Sequence, residues 1–331
     1  MKASEIRKVA VVGAGLMGHG IALELAAAGY DVRLHDLTED VLEGAMDNVR
    51  AGLARLARYG LLSEKDAAAA PARVRTGTVL AELVSDVDLV IEAAAEDVAV
   101  KRQVFGDLGC LTPDHAILAS NTSSLRPSLY AADSGRPDRV IVTHYANPPH
   151  FVPLLEIVGG PDTSPETLEV TRTFMEALGK KVIVATKEVP GFILNRLQLA
   201  LLREALWLVE NGVAEPGDVD TALKYGTGRR WAFAGVFEVF ELAAWDVVGR
   251  IFEEVAPTLS DSREIPAPLR ERIERGEFGS KSGRGFYESG PRWAEETRSR
   301  IAFGMAGLER LWAEYEGRTP ALKTDVAGSG A

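Results

Sequence analysis

The first half of the chain alternates short apolar runs with segments of helical periodicity. We interpret seven apolar runs as buried strands, at 9–12, 32–35, 88–91, 116–119, 140–143, 153–158 and 181–184. Apolar residues recur at helical spacing between them, at 17–28, 38–59 and 164–179. Strands that alternate with helices predict a parallel sheet covered by helices, so we expect an α/β domain over residues 1–188.

The second half is helical throughout. The composition changes at Val189-Pro190-Gly191, and helical patterns follow at 192–210, 218–225, 237–255 and 293–315. This predicts an all-α domain over residues 189–318 and a loose tail over 319–331. Helices this apolar often pair with a second subunit, so we expect a homodimer formed through the helical domain.

Composition narrows the class of protein. The chain has 331 residues, 46% of them hydrophobic and 26% charged, which suits a soluble two-domain enzyme. The net charge is -11 without any run of basic residues, so we expect neither a nucleic-acid nor a membrane partner. We find no signal peptide, which favours the cytoplasm. The single cysteine, Cys110, excludes an intrachain disulfide, and we expect it to be buried.

A glycine-rich turn joins the first strand to the first helix. It reads Gly13-Ala14-Gly15-Leu16-Met17-Gly18, and the next strand ends in Asp36. Glycines here let a pyrophosphate approach the helix N-terminus, and an acid at the end of the second strand can bind the ribose hydroxyls. Leu37 follows, where an arginine would be needed for a 2′-phosphate. We therefore predict a Rossmann-type dinucleotide-binding domain that takes NAD rather than NADP.

A second candidate for cofactor contact follows the strand at 88–91. Glu96 and Lys101 come after this strand, at the edge of the sheet where ligands bind in such folds, and both could reach the nicotinamide ribose. The residues by themselves equally fit a solvated turn acid and a surface lysine.

The candidate catalytic base is a histidine. Of five histidines, His144 alone ends a strand with an acid within reach, because a proline-rich connection leads from it to the strand that carries Glu156. Histidine titrates near neutrality and can accept a hydroxyl proton, while a carboxylate on its other nitrogen fixes the tautomer. A core histidine satisfied by the backbone is the alternative.

Several motifs in one order resemble the L-3-hydroxyacyl-CoA dehydrogenase family, over about 290 residues. They are the glycine turn, Ile91–Glu96, Ser120-Asn121-Thr122-Ser123-Ser124, His144-Tyr145-Ala146-Asn147-Pro148-Pro149 with Glu156, Val189–Arg196 and Lys281–Tyr287.

The resemblance implies roles at matching positions. His144 would be the base and Glu156 its orienting carboxylate. Ser123 and Asn195 would hydrogen-bond the reacting oxygen, and Asn147 would lie beside them, although it could equally cap the prolyl turn. The family's cofactor-side pair matches Glu96 and Lys101.

The chain departs from the acyl-CoA enzymes at two places. The segment 226–238 is longer than in those enzymes and carries Arg229 and Arg230, as in relatives that act on free hydroxy acids, such as L-gulonate and carnitine dehydrogenases. An arginine fork can hold a free carboxylate, although both arginines could equally be solvated. Gly52 and Tyr59 replace the serine and lysine that contact CoA in the acyl-CoA enzymes, although Arg55 and Arg58 on the same helix could substitute for them.

The expected activity is NAD-dependent oxidation of a short-chain L-3-hydroxyacyl-CoA to the 3-ketoacyl-CoA, within fatty acid metabolism. Two alternatives stay open: a dehydrogenase of a free hydroxy acid (gulonate-like, carnitine-like or a hydroxymethyl-pyridine carboxylate), and a non-catalytic NAD-binding or structural protein. The histidines are scattered, so we expect no metal site.

Overall fold

The computed structural model describes residues 1–317 and divides into two compact units. The first comprises Met1–Asn195 with the residues from Met305 onward, and the second comprises Arg196–Gly304. The division at 195/196 lies seven residues beyond the predicted boundary, inside a continuous helix. The predicted tail over 319–331 falls outside the described residues.

The first unit is built on a single twisted sheet. Within residues 1–317 its eight strands follow the order β3-β2-β1-β4-β5-β6-β7-β8. The strands are β1 (Lys8–Val12), β2 (Asp31–His35), β3 (Val74–Gly77), β4 (Leu89–Glu92), β5 (Ile117–Ser120), β6 (Val140–Tyr145), β7 (Leu154–Gly159) and β8 (Lys181–Ala185). The first six are in the order of a dinucleotide-binding fold, which confirms the predicted fold class and places the ligand crevice at the carboxyl ends of β1 and β4.

One pair of strands departs from the expected parallel sheet. β6 and β7 run antiparallel, and in their register His144 lies opposite Glu156. The connection between them spans eight residues, too few for the helical crossover that a parallel pair needs. This turn in the topology is what brings the two predicted catalytic residues together.

Helices cover both faces of the sheet. They are α1 (Gly18–Ala27), α2 (Glu39–Arg58), α3 (Glu64–Ala69), α4 (Leu80–Val84), α5 (Val98–Leu111) and α6 (Pro165–Ala177). Thr38 caps α2 and Ser164 caps α6, each accepting a backbone N–H of the first turn. The prediction that Cys110 is buried is wrong, because α5 presents this residue to solvent.

The second unit is helical, as predicted. Its helices are α7 (Leu194–Glu210), α8 (Pro216–Ala222), α9 (Gly228–Trp231), α10 (Val236–Leu242), α11 (Trp245–Val255), α12 (Ala267–Glu274) and α13 (Pro291–Tyr315), the first and last of which extend into the other unit. A short π-helical segment, Leu223–Thr227, follows α8. The prediction of one helix over 237–255 is wrong, because Ala244 adopts a φ of 66° and separates α10 from α11. In the part of the chain described, no helix is long and apolar enough to cross a membrane.

Candidate active site

The glycine turn between β1 and α1 fits a dinucleotide. Gly13 has a φ of 100°, and a Cβ there would lie 2.6 Å from the Ala93 carbonyl oxygen. A Cβ on Gly15 would meet no atom within 4 Å, so the backbone at this point is open to a ligand. No side chain caps the start of α1 at Met17, which leaves the helix N-terminus to an anion. Leu16 is exposed beside it.

Asp36 closes the other side of this turn. Its carboxylate accepts hydrogen bonds from the N–H groups of Ala14 and Leu37, both at 2.7 Å. These bonds fix the carboxylate at the end of β2, and each oxygen keeps a lone pair for a ribose hydroxyl. A 2′-phosphate would meet this negative charge with no arginine at position 37 to offset it.

Glu96 and Lys101 lie at the carboxyl end of β4, but Lys101 points inward. The Lys101 ammonium is buried and lies 3.0 and 2.9 Å from the two carboxylate oxygens of Glu92, and 3.6 Å from Glu96. The surface-lysine interpretation is therefore wrong. Lys101 also has no exposed head group with which to reach a ribose, so of the predicted pair Glu96 is the one placed to do so.

Glu96 organises the Ser120–Ser124 motif. One of its oxygens accepts hydrogen bonds from Thr122 Oγ1 at 2.7 Å, from Ser124 Oγ at 2.9 Å, and from the N–H groups of Ser123 and Ser124 at 3.1 and 3.0 Å. Burial would raise the pKa of Glu96, but these hydrogen bonds and the charge of Lys101 lower it. Glu96 is thus an anion that fixes the loop carrying Ser123.

The centre of the site is the pair formed by His144 and Glu156. His144 Nδ1 lies 2.6 Å from Glu156 Oε2, and both side chains are buried. Among the described residues, the hydrogen bond of the His144 ring is made by Nδ1 and none is made by Nε2. The carboxylate favours a proton on Nδ1, which leaves Nε2 as the acceptor that a general base requires.

Glu156 also holds the start of α7. Its Oε1 accepts hydrogen bonds from the backbone N–H groups of Ile193 and Leu194, both at 2.9 Å. Burial would raise the pKa of Glu156, but the hydrogen bonds from His144, Leu194 and Ile193 outweigh it and lower the pKa. The carboxylate therefore stays charged and cannot rotate without losing contacts at both oxygens.

The two residues expected to hold the reacting oxygen are also close together. Asn195 Nδ2 donates to the Ser123 carbonyl oxygen at 2.9 Å, which joins the first turn of α7 to the Ser120–Ser124 motif. The Ser123 hydroxyl is partly exposed and lies 3.4 Å from Glu96. The structure thus places Ser123, Asn195 and Glu96 in the same unit as the His144–Glu156 pair.

Three further residues were predicted to contact the substrate. Asn147 is exposed in the β6–β7 connection and precedes a cis peptide bond to Pro148. Arg229 and Arg230 are exposed on α9 in the helical unit, and the Arg229 guanidinium stacks on Tyr225 at 4.8 Å. Their roles stay predictions.

Comparison with known proteins agrees with this arrangement. The NAD-binding domain of 3-hydroxyacyl-CoA dehydrogenase matches residues 8–189, and the C-terminal domain of the same enzymes matches residues 191–289. The chain belongs to the 3-hydroxyacyl-CoA dehydrogenase family. It follows that the protein is an oxidoreductase acting on alcohol groups and that its cofactor is NAD.

Relatives within the family differ in substrate. The chain is 31% identical to 5-formyl-3-hydroxy-2-methylpyridine 4-carboxylate 5-dehydrogenase of Mesorhizobium japonicum over 313 residues, 95% of this chain and 99% of that protein. It is 37% identical to a probable 3-hydroxybutyryl-CoA dehydrogenase of Bacillus subtilis over 285 residues, 86% of this chain and 98% of that protein.

One solved structure is similar to this chain over nearly its whole length. The crystal structure of a 5-formyl-3-hydroxy-2-methylpyridine 4-carboxylic acid 5-dehydrogenase, described as an NAD+ dependent dismutase, superposes with a TM-score of 0.87. It is 31% identical and covers 95% of this chain and 100% of its own.

Sequence reasoning missed residues that fix this family site from behind. Glu92 accepts from Lys101 and from Ser120 Oγ, the latter at 2.6 Å, and Asn121 Oδ1 accepts from the Tyr145 N–H at 3.0 Å. The sequence offered one signal for Glu92, because this acid ends the strand that precedes Lys101 and could have been predicted to pair with it. Across residues 1–317, no cluster of three or more histidine, cysteine or acidic side chains is arranged to hold a metal ion.

Proposed function

We propose that the protein oxidises an alcohol group of a small substrate that carries a free carboxylate. The observation that carries the reaction is the buried His144–Glu156 pair, in which only Nδ1 of His144 is hydrogen-bonded within the described residues. His144 takes the hydroxyl proton, and Glu156 stabilises the imidazolium that results. Ser123 and Asn195 hold the oxygen as it becomes a carbonyl. The glycine turn and Asp36 would hold NAD, which would supply the hydride acceptor for the carbinol carbon.

The surface of α2 supports a free acid over a CoA thioester. Gly52 stands where the acyl-CoA enzymes carry a serine that contacts CoA, and here it is buried. A Cβ on Gly52 would collide with Leu23 and would lie 3.7 Å from the His150 ring. One turn later, Tyr59 replaces the lysine, and its ring packs edge-on to Phe151 at 6.2 Å. Neither position offers CoA the contacts that the family uses.

The second candidate substrate is a short-chain L-3-hydroxyacyl-CoA. The observation that favours it is the 37% identity to the Bacillus subtilis protein over nearly its whole length. The same base, carboxylate, serine and asparagine would act on the 3-hydroxyl group. The two candidates therefore differ in how the remainder of the substrate is bound, not in the chemistry.

A substrate panel separates these candidates. NADH formation would be followed with L-gulonate, L-carnitine, a hydroxymethyl-pyridine carboxylate and 3-hydroxybutyryl-CoA, with His144→Ala as the control for contaminating activity. We expect turnover with at least one free acid and little with the thioester. Turnover with the CoA ester alone would overturn the proposed substrate class. NAD binding without turnover of any member would leave the non-catalytic alternative.

We further propose that the protein is a homodimer through its helical unit. Large apolar side chains are exposed there, including Phe237, Leu242 and Phe252 at 77%, 88% and 67% of their surface. Exposure on this scale exceeds what isolated surface residues of a monomer explain. A second copy of the chain is the partner that we propose for this face.

A further inference from the structure

A buried lysine that the chemistry above does not use lies behind the β6–β7 connection. Lys180 precedes β8, and its side chain is 2% exposed. Its ammonium lies 2.6 Å from Glu24 Oε1 on α1, donates to the carbonyl oxygens of Pro149 at 2.7 Å and Val152 at 3.3 Å, and lies 5.0 Å from the centre of the Tyr145 ring. Removing an ammonium from water costs several kcal/mol, so contacts this complete are needed to keep it there.

These contacts converge on the segment that carries the catalytic pair. Pro149 and Val152 lie in the connection that begins after β6 and ends at β7, the strands of His144 and Glu156. Tyr145 directly follows His144, and alternation along a strand directs the two side chains to opposite faces of the sheet. Lys180 therefore fixes the back of the same strand end whose front holds the base.

The other restraints on this connection come from α1 and α2. The His150 ring fits between two glycines: a Cβ on Gly20 would lie 3.4 Å from its Nδ1, and one on Gly52 would lie 3.7 Å from its Nε2. Burial, with the charges of nearby cations, lowers the pKa of His150 to about 3, so the ring is neutral. It makes no hydrogen bond to the described residues, so it locates the connection by shape alone.

The outer side of the connection is not close-packed. A cavity of about 280 Å³ lies there, lined by Pro149, His150, Phe151, Val152 and Lys180 among other residues. Segments beside a cavity lack the contacts that fix a core side chain. The polar contacts of Lys180 consequently carry more of the positioning than they would inside a filled core.

We propose that Lys180 is a positioning residue for the dehydrogenase reaction: it anchors the β6–β7 connection to α1 and so holds His144 and Glu156 in register. This rests on the proposed function only in its effect on turnover. Without the ammonium, two carbonyl groups and Glu24 lose their partner, and the connection can shift towards the cavity. Small displacements of a catalytic base lower kcat strongly, here on the order of 10- to 100-fold.

The test compares Lys180→Met, the same change combined with Glu24→Gln, and Asp86→Asn as a matched control. The double variant removes both charges and avoids an unpaired buried carboxylate. Asp86 forms an ion pair with the largely buried Arg33 at the opposite side of the sheet, so its loss lowers stability without touching the connection. We would measure kcat, KM, the NAD dissociation constant and Tm for each variant.

We expect both Lys180 variants to lose 10- to 100-fold in kcat with unchanged NAD affinity, and Asp86→Asn to lower Tm while keeping kcat. A folded Lys180 variant with wild-type kcat would overturn the proposal, as would an equal loss of kcat in Asp86→Asn. If neither methionine variant folds, Lys180→Gln removes the charge while remaining polar, and normal kcat there would also overturn it.

One further measurement does not depend on turnover. The N–H groups of Phe151 and Val152 donate to the Pro148 carbonyl oxygen at 3.1 and 3.0 Å. Their hydrogen exchange should accelerate in the Lys180 variants and not in Asp86→Asn. Unchanged exchange would count against the anchor even for a protein in which no substrate had been found, so the failure of the proposed function and of this inference are distinguishable.

Discussion

Replacing Glu156 by glutamine tests the catalytic pair at almost constant side-chain volume. One carboxylate oxygen accepts the N–H groups of Ile193 and Leu194 and the other faces His144 Nδ1. A glutamine has one oxygen for these three donors. If that oxygen stays at the start of α7, its NH₂ group faces Nδ1, which must then act as acceptor. The imidazole proton moves to Nε2, the nitrogen that has to receive the substrate's proton.

The wrong tautomer sets the magnitude. The equivalent carboxylate-to-amide change in the serine protease triad lowers kcat by about 10⁴-fold, so we expect a loss of about 10³- to 10⁴-fold here. That corresponds to about 4–5 kcal/mol of transition-state stabilisation. If the oxygen instead turns to His144, the start of α7 loses its acceptor and unfolding becomes easier by about 1–3 kcal/mol.

The assay is NADH formation at saturating substrate, with a fluorescence titration of NAD and a thermal melt on the same preparation. NAD affinity should not change, because Glu156 lies apart from the glycine turn. A variant with kcat within about tenfold of wild type and an unaltered Tm would refute this reasoning. Each orientation of the glutamine side chain loses one contact of Glu156, either the hydrogen bond from His144 Nδ1 or those from the N–H groups at the start of α7.

Three further predictions address the cofactor, the anchor segment and assembly. Asp36→Ala should weaken NAD binding and reduce the preference for NAD over NADP, which titrations with both cofactors would show. The ordinary pKa of a histidine such as His150 is 6.5, and burial in the folded protein lowers it to about 3. The wild type should therefore lose stability as the pH falls from about 6.5 towards 3, by up to about 1.4 kcal/mol per pH unit, and His150→Leu should remove that part of the slope in urea melts. Leu242→Glu should shift the mass in light scattering from dimer to monomer, whereas a monomeric wild type would contradict the proposed assembly.

The central strands were predictable because strands buried on both faces are continuous apolar runs. Edge strand β3, Val-Arg-Thr-Gly, was missed since it is half exposed and contains no such run. Helix α5 was missed as well. It contains Gly106 and Gly109, and glycine weakens a helical pattern. Gly109 has no room for a side chain, because a Cβ there would clash with the backbone of Ser134. The break at Ala244 has neither glycine nor proline to mark it.

Within the site, the residues that lie on neighbouring strands could be predicted from the sequence. The lysines whose side chains are buried could not. His144 and Glu156 could be paired because a short, proline-rich connection joins their strands. In the sequence, Lys101 and Lys180 resemble ordinary surface lysines. Nothing in the neighbouring residues shows that Lys101 pairs with the buried Glu92, or that Lys180 pairs with the buried Glu24. Burial of a lysine is decided by the tertiary position of its partner, which only the folded chain reveals.

In the proposed reaction, the chemistry and the choice of substrate depend on different parts of this fold. The base and its carboxylate are fixed by the β6–β7 register and by the start of α7, all inside one unit. The positions that we propose to distinguish a CoA thioester from a small acid lie on α2, where Leu23 and the His150 ring lie beside Gly52. A Cβ at position 52 would clash with the Leu23 side chain, whereas it would lie at ordinary contact distance from the His150 ring. We therefore expect that a larger residue at position 52 requires a coupled change at Leu23, whereas His144 and Glu156 can stay as they are.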